Sequence, residues 1–593
     1  MKYIVGIDLG TTNSGVAYAP AASKDDFSQP DVELFLIPQL VNPGEPAPEP
    51  LLPSFLYIPG PNEFPAGSLA LPWSERPSQI AGVLAQKRGA ENAGRLVSSA
   101  KSWLSHTGVD RTAPILPAAA PDGVSKVSPV AASRSYLEHI RYAWNFKHPD
   151  APLDQQNVLI TVPASFDAVA RELTQRAAEE AGYRNFILLE EPQAAFYAWI
   201  ERHQEWRERV KVGDLILVVD IGGGTTDFTL IAVTEEDGEL RLERVAVGEH
   251  ILLGGDNMDL ALARVLEAEL TERKVKLDPI QFNALWQQSR VAKEALLAEG
   301  NTEEEHPITL LGRGTGLVGG TIKTKLRRET LNRVLIDGFL PMVPITDMPQ
   351  GRRRVALQEI GLPYAPDAAI TRHLARFLSQ QPNQALPTHV LFNGGVLRAR
   401  PIRERIVDVL NTWLRDVSRP QIVELAGEDL MHAVSRGATY YGLARQGRGV
   451  RIRGGVPRTY YVGIESAMPA VPGLPVPLKA LTVAPFGMEE GTKAELPSRE
   501  FGLVVGEPAE FRFFSSVARK TDAPGDLIED IPEDVEELSP IEVTLPAGDR
   551  PGEVVRVTLE SVVTETGVLE LWCVASDGRR WKLEFNVRAG AAA

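Results

Sequence analysis

A short run near the start of the chain recurs in its middle. Asp8-Leu9-Gly10-Thr11-Thr12-Asn13 matches Asp220-Ile221-Gly222-Gly223-Gly224-Thr225-Thr226-Asp227 in order, and the leading aspartates are 220 − 8 = 212 residues apart. Each copy joins two runs of strand character, Lys2 to Leu9 with Ser14 to Ala19, and Leu215 to Asp220 with Phe228 to Val233. A self-similarity at that separation implies two similar lobes, each presenting a Gly/Thr hairpin to a shared cleft. Glycine suits such a turn because only a backbone without Cβ lets a phosphate approach closely. Threonine hydroxyls add neutral hydrogen-bonding groups. An aspartate ending each strand would hold a hydrated Mg²⁺, an ion that keeps several waters and takes one or two carboxylates plus phosphate oxygens. The repeat therefore points to phosphate clamping between two lobes.

The rest of the chain up to about residue 446 reads as α/β. A strand at Asn157 to Val162 leads through Pro163 to a helical period over Ala168 to Ala181, stopped by Gly182. Further helical periods cover Met258 to Thr271, Phe282 to Glu299, Ala368 to Leu378 and Ile402 to Leu414. Pro38 to Pro65 is too rich in proline for a central strand or a helix and reads as a surface elaboration. From Tyr460 the period changes to two, and alternating runs are punctuated by Thr566-Gly567 and Asp577-Gly578, as in an all-β domain. The expected divisions are a nucleotide-binding domain over 1–446, a Gly- and Arg-rich linker over 447–457, and a β-sandwich-like domain over 458–593. Thr521 to Glu537 carries eight carboxylates and no Lys or Arg, which reads as a solvated loop.

Composition narrows the function classes. Lys and Arg number 62 against 78 Asp and Glu, a formal charge of −16, which disfavours a general nucleic-acid or anionic-membrane binder. Cys573 is the only cysteine, so an internal disulfide or a thiolate metal cluster is excluded, and a reducing, cytoplasmic setting is expected. No run reaches the ~20 apolar residues needed to span a bilayer. Gly314-Thr315-Gly316-Leu317-Val318-Gly319 fits the dinucleotide pattern, but no clean helix follows in the required unit. Ser98-Ser99-Ala100-Lys101 fits the pattern of a serine acyl-enzyme, yet its partner motifs are missing.

Together these residues resemble a known family. Val5 to Ser14 is similar to the first signature of the DnaK-type, seventy-kilodalton heat-shock chaperones, within the actin and sugar-kinase superfamily, and Asp220 to Asp227 is similar to the second. Ile160-Thr161-Val162-Pro163-Ala164 with Arg171, and Glu190-Glu191-Pro192-Gln193-Ala194-Ala195, resemble the connection between them, while Leu391 to Arg398 resembles the adenosine-side signature. The resemblance implies a two-lobed actin-like ATPase followed by a β-sandwich-like domain, hydrolysing ATP to ADP with Mg²⁺ and with K⁺ as a further ion. It implies catalytic roles for Asp8, Glu191, Asp220 and Thr225, with Asp8 and Asp220 holding the metal through water. Gly10, Thr11, Thr12, Asn13, Gly222, Gly223, Gly224 and Thr226 would hold phosphates, and Lys293, Gly394, Gly395 and Arg398 would flank the adenosine. Glu191 would orient the attacking water or take its proton. Unfolded or partner polypeptides and co-chaperones are the implied partners.

Departures from the family pattern add expectations. The run Gly82-Val83-Leu84-Ala85-Gln86-Lys87 places Gln86 where the family has a catalytic lysine, with Lys87 one step later, so slow hydrolysis is expected. Arg290-Val291-Ala292-Lys293-Glu294 exchanges the acidic and basic ends of the family's adenine clamp. The linker is basic where the family's is acidic, and no helical lid is expected after Val587. Two competing readings are a nucleotide-gated scaffold with little turnover and a small-molecule kinase of the same superfamily.

Overall fold

Tyr3–Leu9 (β1) and Asn13–Pro20 (β2) pair antiparallel, in register from Tyr3 with Pro20 to Leu9 with Ser14, and close on the first Gly/Thr turn. Ile4, Val5, Ile7 and Val16 lie fully out of solvent, because helices cover both faces of this sheet and its strands are apolar on both sides. The computed structural model describes residues 1–593 apart from 22–30, 107, 119, 204, 237–238, 250, 312–320, 352–363, 382–385, 428, 447–455, 457, 466–477, 490, 497–498, 517, 533, 539, 548–551, 565–567 and 587–593. The run Gly314–Gly319 and, apart from Val456, the linker 447–457 therefore lie outside the described residues, as does the Thr566-Gly567 turn.

Asn157–Val162 (β3) runs parallel to β1, and Phe186–Glu190 (β4) runs parallel to β3; Glu33–Leu34 pairs on the far side of β2. Around this sheet pack Ala100–Leu104 (α1), Pro129–Lys147 (α2), Ala168–Glu180 (α3) and Glu191–Arg202 (α4). Two starts carry their own cap: Ser128 Oγ accepts from Ala131 N at 3.0 Å, and Asp167 Oδ1 accepts from Ala170 N at 2.6 Å. The proline-rich stretch forms a two-stranded hairpin, Ile37–Asn42 with Glu45–Glu49, in which Pro38 stands opposite Pro48. A two-stranded ribbon has outward-facing edges on both sides, where a missing N–H costs nothing.

The second lobe repeats this sheet. Leu215–Ile221 (β5) pairs antiparallel with Thr226–Glu236 (β6), which pairs with Glu239–Val247 (β7); on the other side His389–Asn393 (β8) and then Val423–Leu425 run parallel. The two sheets thus share one order and one pattern of strand directions. Gly255–Glu272 (α5), Pro279–Leu297 (α6) and Arg400–Asp416 (α7) cover the second sheet, and Leu262, Leu266, Leu285, Ile406 and Trp413 are buried in the core that it shares with them. Ala433–Arg445 (α8) returns to the first lobe. It crosses α4 so closely that a Cβ on Gly437 would lie 1.7 Å from the Ala194 carbonyl, and Gly6 N on β1 donates to Thr439 Oγ1 at 3.1 Å.

The chain divides into two units, Met1–Arg451 and Ile452–Ala593. In the second, Thr459–Glu465 (β9), Leu478–Ala484 (β10), Phe513–Ser516 (β11), Leu527–Ile528 (β12) and Glu536–Glu537 (β13) form one sheet in the order β12-β10-β9-β11-β13. Glu553–Val563 (β14), Val568–Ala575 (β15) and Arg580–Asn586 (β16) form the other, with Thr492–Glu495 and Phe501–Val505 on the free side of β14. Tyr460, Val462, Leu481 and Phe513 from one sheet share a core with Leu503, Val557, Leu569 and Leu571 from the other, so the sheets pack face to face. The Asp577-Gly578 turn closes the last hairpin, with Gly578 at φ 89°.

Candidate active site

The two repeated turns are held in the same manner. In the first, Ser54 takes both free carbonyls: its Oγ donates to Gly10 O at 2.7 Å and its N to Thr12 O at 2.8 Å. In the second, the N-terminus of α5 does so, with Gly255 N donating to Gly222 O at 3.0 Å and Asp256 N to Gly223 O at 2.7 Å. Because the peptide unit is planar and trans, a carbonyl fixed on one side turns the following N–H to the other. The turns approach closely: a Cβ on Gly223 would lie 1.7 Å from Thr12 Oγ1, and one on Gly224 would lie 2.7 Å from Ser102 Oγ.

Between them lies a cavity of about 400 Å³. Of the residues expected from the sequence, Asp8, Gly10, Thr11, Thr12, Asn13, Glu191, Asp220, Gly222, Gly223, Thr225, Lys293, Gly394, Gly395 and Arg398 line it. Gly224 and Thr226 do not. Gly224 backs onto Ser102 and Thr11, and Thr226 is fully buried, its Oγ1 donating to Leu253 O at 2.7 Å, so its hydroxyl secures the approach to α5. Gly394 sits at φ 93°, where a Cβ would strike Ile221 O at 2.3 Å. Arg171 is buried, and its Nη2 reaches Glu190 Oε1 at 3.3 Å; Arg244, from the other lobe, reaches Glu190 Oε2 at 2.7 Å.

The expectation about the lysine needs correction. Gln86 does not line the cavity, and Lys87 Nζ is engaged on the surface, donating to Val41 O at 2.9 Å and Asn42 Oδ1 at 3.2 Å. The cation beside Glu191 in the cavity is Lys101, on α1, only 6% exposed and ion-paired with that carboxylate. It belongs to the run Ser98 to Lys101, which fails as an acyl-enzyme motif but delivers a lysine. The signal available in the sequence was a lysine inside Ala100-Lys101-Ser102-Trp103-Leu104, a helix with every residue buried.

Charge in the cavity is unbalanced. Burial, and after it the Glu191 carboxylate, raises Asp8 to about 7 and Asp220 to about 8, while burial raises Asp227 to about 7. Among the described residues, the cation acting on all three is Lys101. Asn393 Nδ2 donates to Asp220 Oδ2 at 2.7 Å, and Ser165 Oγ donates to Asp227 across the lobes. Three carboxylates and Glu191 about one ammonium form a site that fits an added cation. Thr12 Oγ1 and Asn393 Oδ1, of residues lining the cavity, are buried without hydrogen-bond partners, which fits a polar ligand in the same place.

Toward the opposite end, Asp256 and Asp259 on α5 face Arg290 and Lys293 on α6. Arg290 Nε donates to Asp259 Oδ2 at 2.9 Å and pairs with Asp256, and Lys293 Nζ lies 2.6 Å from Asp259 Oδ1. Ser99 Oγ of the first lobe donates to Asp256 Oδ2 at 3.2 Å, so this cluster also joins the lobes. Lys293 is buried, whereas Glu294 and Arg398 stand exposed at the rim.

Residues 149–342, spanning β3 to the start of the second lobe's helices and beyond, match the family model described as Hsp70 protein. A chaperone protein HscA homolog from Colwellia psychrerythraea is 28% identical over 348 residues, covering 56% of this chain and 47% of that protein. Over these residues the chain is similar to Hsp70-type proteins. HscA homologs from Pseudomonas fluorescens and Acidithiobacillus ferrooxidans are 34% and 32% identical, over 30% and 35% of this chain. These matches span less than half of the curated relatives' lengths, 47%, 26% and 29%. Among its described residues no helix is long and apolar enough to cross a membrane.

Proposed function

We propose that the protein is a Mg²⁺-dependent ATPase of the chaperone type, in which the nucleotide state of the cleft modulates binding of unfolded or partner polypeptides by the β-unit. The observation that carries this reading is the pair of turns facing one cavity whose lining residues Thr12 and Asn393 hold partnerless polar atoms, Oγ1 and Oδ1. The match of residues 149–342 to the Hsp70 family model supports the ATPase chemistry, and the curated relatives are themselves named chaperones.

In this reading Thr11, Thr12 and Asn13 grip phosphate from one lobe, and Gly222, Gly223 and Thr225 from the other. Lys101 neutralises phosphate charge and fixes the Glu191 carboxylate with which it is paired. Glu191 orients the attacking water and accepts its proton. Asp8 and Asp220 hold the hydrated Mg²⁺, which when bound supplies positive charge to the transferred phosphoryl group. Lys293, Gly394, Gly395 and Arg398 flank the adenosine, and the site acts in the cytoplasm. With Lys101 in the cavity, the argument for a scaffold of little turnover loses its motive.

The test is ATP turnover with Mg²⁺ and K⁺, with and without a permanently unfolded polypeptide. Turnover that the polypeptide stimulates, and that Asp220→Asn removes, supports the proposal. Absence of both ATP binding and turnover in the folded protein overturns it.

A further inference from the structure

The acidic run Thr521 to Glu537 is more than a solvated loop. β12 and β13 lie on opposite edges of the sheet formed by β10, β9 and β11, and the chain between them crosses from one edge to the other. It does so over the face that points away from the sandwich core. On that face Tyr461, Ala480 and Phe514 are 0%, 0% and 3% exposed, and they pack with Ile528, Ile531 and Val535 of the crossing segment. The other face of the same strands carries Tyr460, Val462, Leu481 and Phe513 into the core. A two-sheet sandwich needs one apolar face per sheet. This sheet has two, and an acidic strap covers the second.

The strap is lightly held. Among the described residues its backbone bonds to the sheet near its two ends, through Gly525, Asp526, Leu527 and Ile528 on β10 and Glu536 and Glu537 on β11, while the stretch between crosses on side-chain contacts. Its side chains are pinned by a frame of cations: Lys479 to Glu529, Arg458 to Glu536 at 2.8 Å, and Arg512 to Glu537 at 2.6 and 2.7 Å. The carboxylates of these pairs are 42–65% exposed, a setting in which ion pairs are weak and screened by salt. Among the strap's described carboxylates only Asp522, held by Arg519 at 2.7 Å and by Tyr461 Oη at 2.9 Å, is well enclosed.

We infer that the outer face of this sheet is a seat for an extended polypeptide segment in which aliphatic side chains alternate with carboxylates, and that the strap is its resident, displaceable occupant. The chemistry of the guest follows from what occupies the seat and what frames it: an apolar floor takes aliphatic groups, and Arg458, Lys479 and Arg512 take acids. The inference rests on the proposed polypeptide binding by the β-unit and specifies where it occurs and for which charge class.

The experiment uses the full chain and two labelled peptides, one with the sequence of residues 522–537 and one with every Asp and Glu of it replaced by Lys. In Ile531→Ser/Val535→Ser the strap loses two aliphatic anchors, and in Glu536→Gln/Glu537→Gln it loses pins while the apolar floor and the cations stay intact. Fluorescence anisotropy is expected to show both variants binding the acidic peptide about tenfold more tightly than the parent, more weakly at high salt, with no such gain for the lysine peptide. The inference is overturned if the folded variants gain no affinity for the acidic peptide, or gain equally for both. If parent and variants bind a permanently unfolded polypeptide alike while neither variant gains on the acidic peptide, the seat is wrong and the polypeptide-binding function stands. If none of the three proteins binds any polypeptide, both fall.

Discussion

The Lys101 ammonium and the Glu191 carboxylate form a buried ion pair on the wall of the cleft, 6% and 12% exposed. A buried pair is costly to break from one side, because the survivor is left charged without a partner. A charge aimed at developing phosphate charge is worth more in catalysis than in ground-state binding. Lys101→Met is therefore expected to lower turnover by about 100-fold or more, with a much smaller loss of ATP affinity. Gln86→Lys and Lys87→Ala, at positions that do not line the cavity, are expected to leave turnover within about twofold. Steady-state kinetics and equilibrium ATP binding on the same preparations separate the two effects.

Gly223→Ala tests the closeness of the lobes. Its new methyl would meet Thr12 Oγ1 at 1.7 Å, so the turns must separate and the phosphate cradle between them loosens. ATP affinity is expected to fall by at least about tenfold, measured by calorimetry. Companion substitution Thr12→Ser leaves the same oxygen in place and should not relieve the clash. Thr12→Gly removes it and should restore part of the affinity.

Asp220 costs the empty protein stability. Burial raises it to about 8 from an ordinary 3.8, so between these values the folded state binds more protons than the unfolded one. Stability from this group is present below about 4 and is lost as pH rises through about 8. Without nucleotide, Asp220→Asn is expected to raise the melting temperature at pH 8 and to flatten its fall with pH. The same substitution should abolish the extra stabilisation by Mg²⁺ with ATP, which scanning calorimetry with and without chelator will show.

His139 has the opposite sign. It is buried on α2, its Nε2 donates to Pro38 O at 2.9 Å, and burial lowers it to about 4 from 6.5. In that interval the unfolded chain holds the proton, so stability is present above 6.5 and declines as pH falls toward 4. The loss is expected to approach about 3 kcal/mol by the time pH reaches about 4, at ~1.36 kcal/mol for each unit of the interval. His139→Gln keeps a donor toward Pro38 and removes the titration; urea melts at pH 7 and pH 5 should then differ less than in the parent.

Much of the α/β unit could be read from local pattern. Strand Asn157–Val162 matches its sequence reading residue for residue, and the helices Gly255–Glu272 and Arg400–Asp416 extend theirs by a few residues at their ends. Buried strands and amphipathic helices announce themselves because burial imposes the period. Pro129–Lys147 escaped notice, since its small residues Ala131, Ala132, Ser133 and Ser135 leave little contrast between its faces. The acidic run 521–537 misled for the converse reason. Its carboxylates dominate the local composition, while only Ile528, Ile531 and Val535 reveal that it has something to cover, and their partners Tyr461 and Phe514 lie far away in sequence.

The duplicated Asp and Gly/Thr turns dictated two like lobes and a phosphate-binding cleft, because backbone geometry at such turns is a local matter. Which side chains meet in that cleft was a long-range matter. Lys101 lies 90 residues from Glu191, and Ser99 lies 157 from Asp256, so no spacing rule could pair them. Folding the first lobe brings α1 against the start of α4, and bringing the lobes together sets Thr12 beside Gly223. That packing turned a discarded serine motif into the source of the lysine paired with Glu191 and removed Lys87 to the surface.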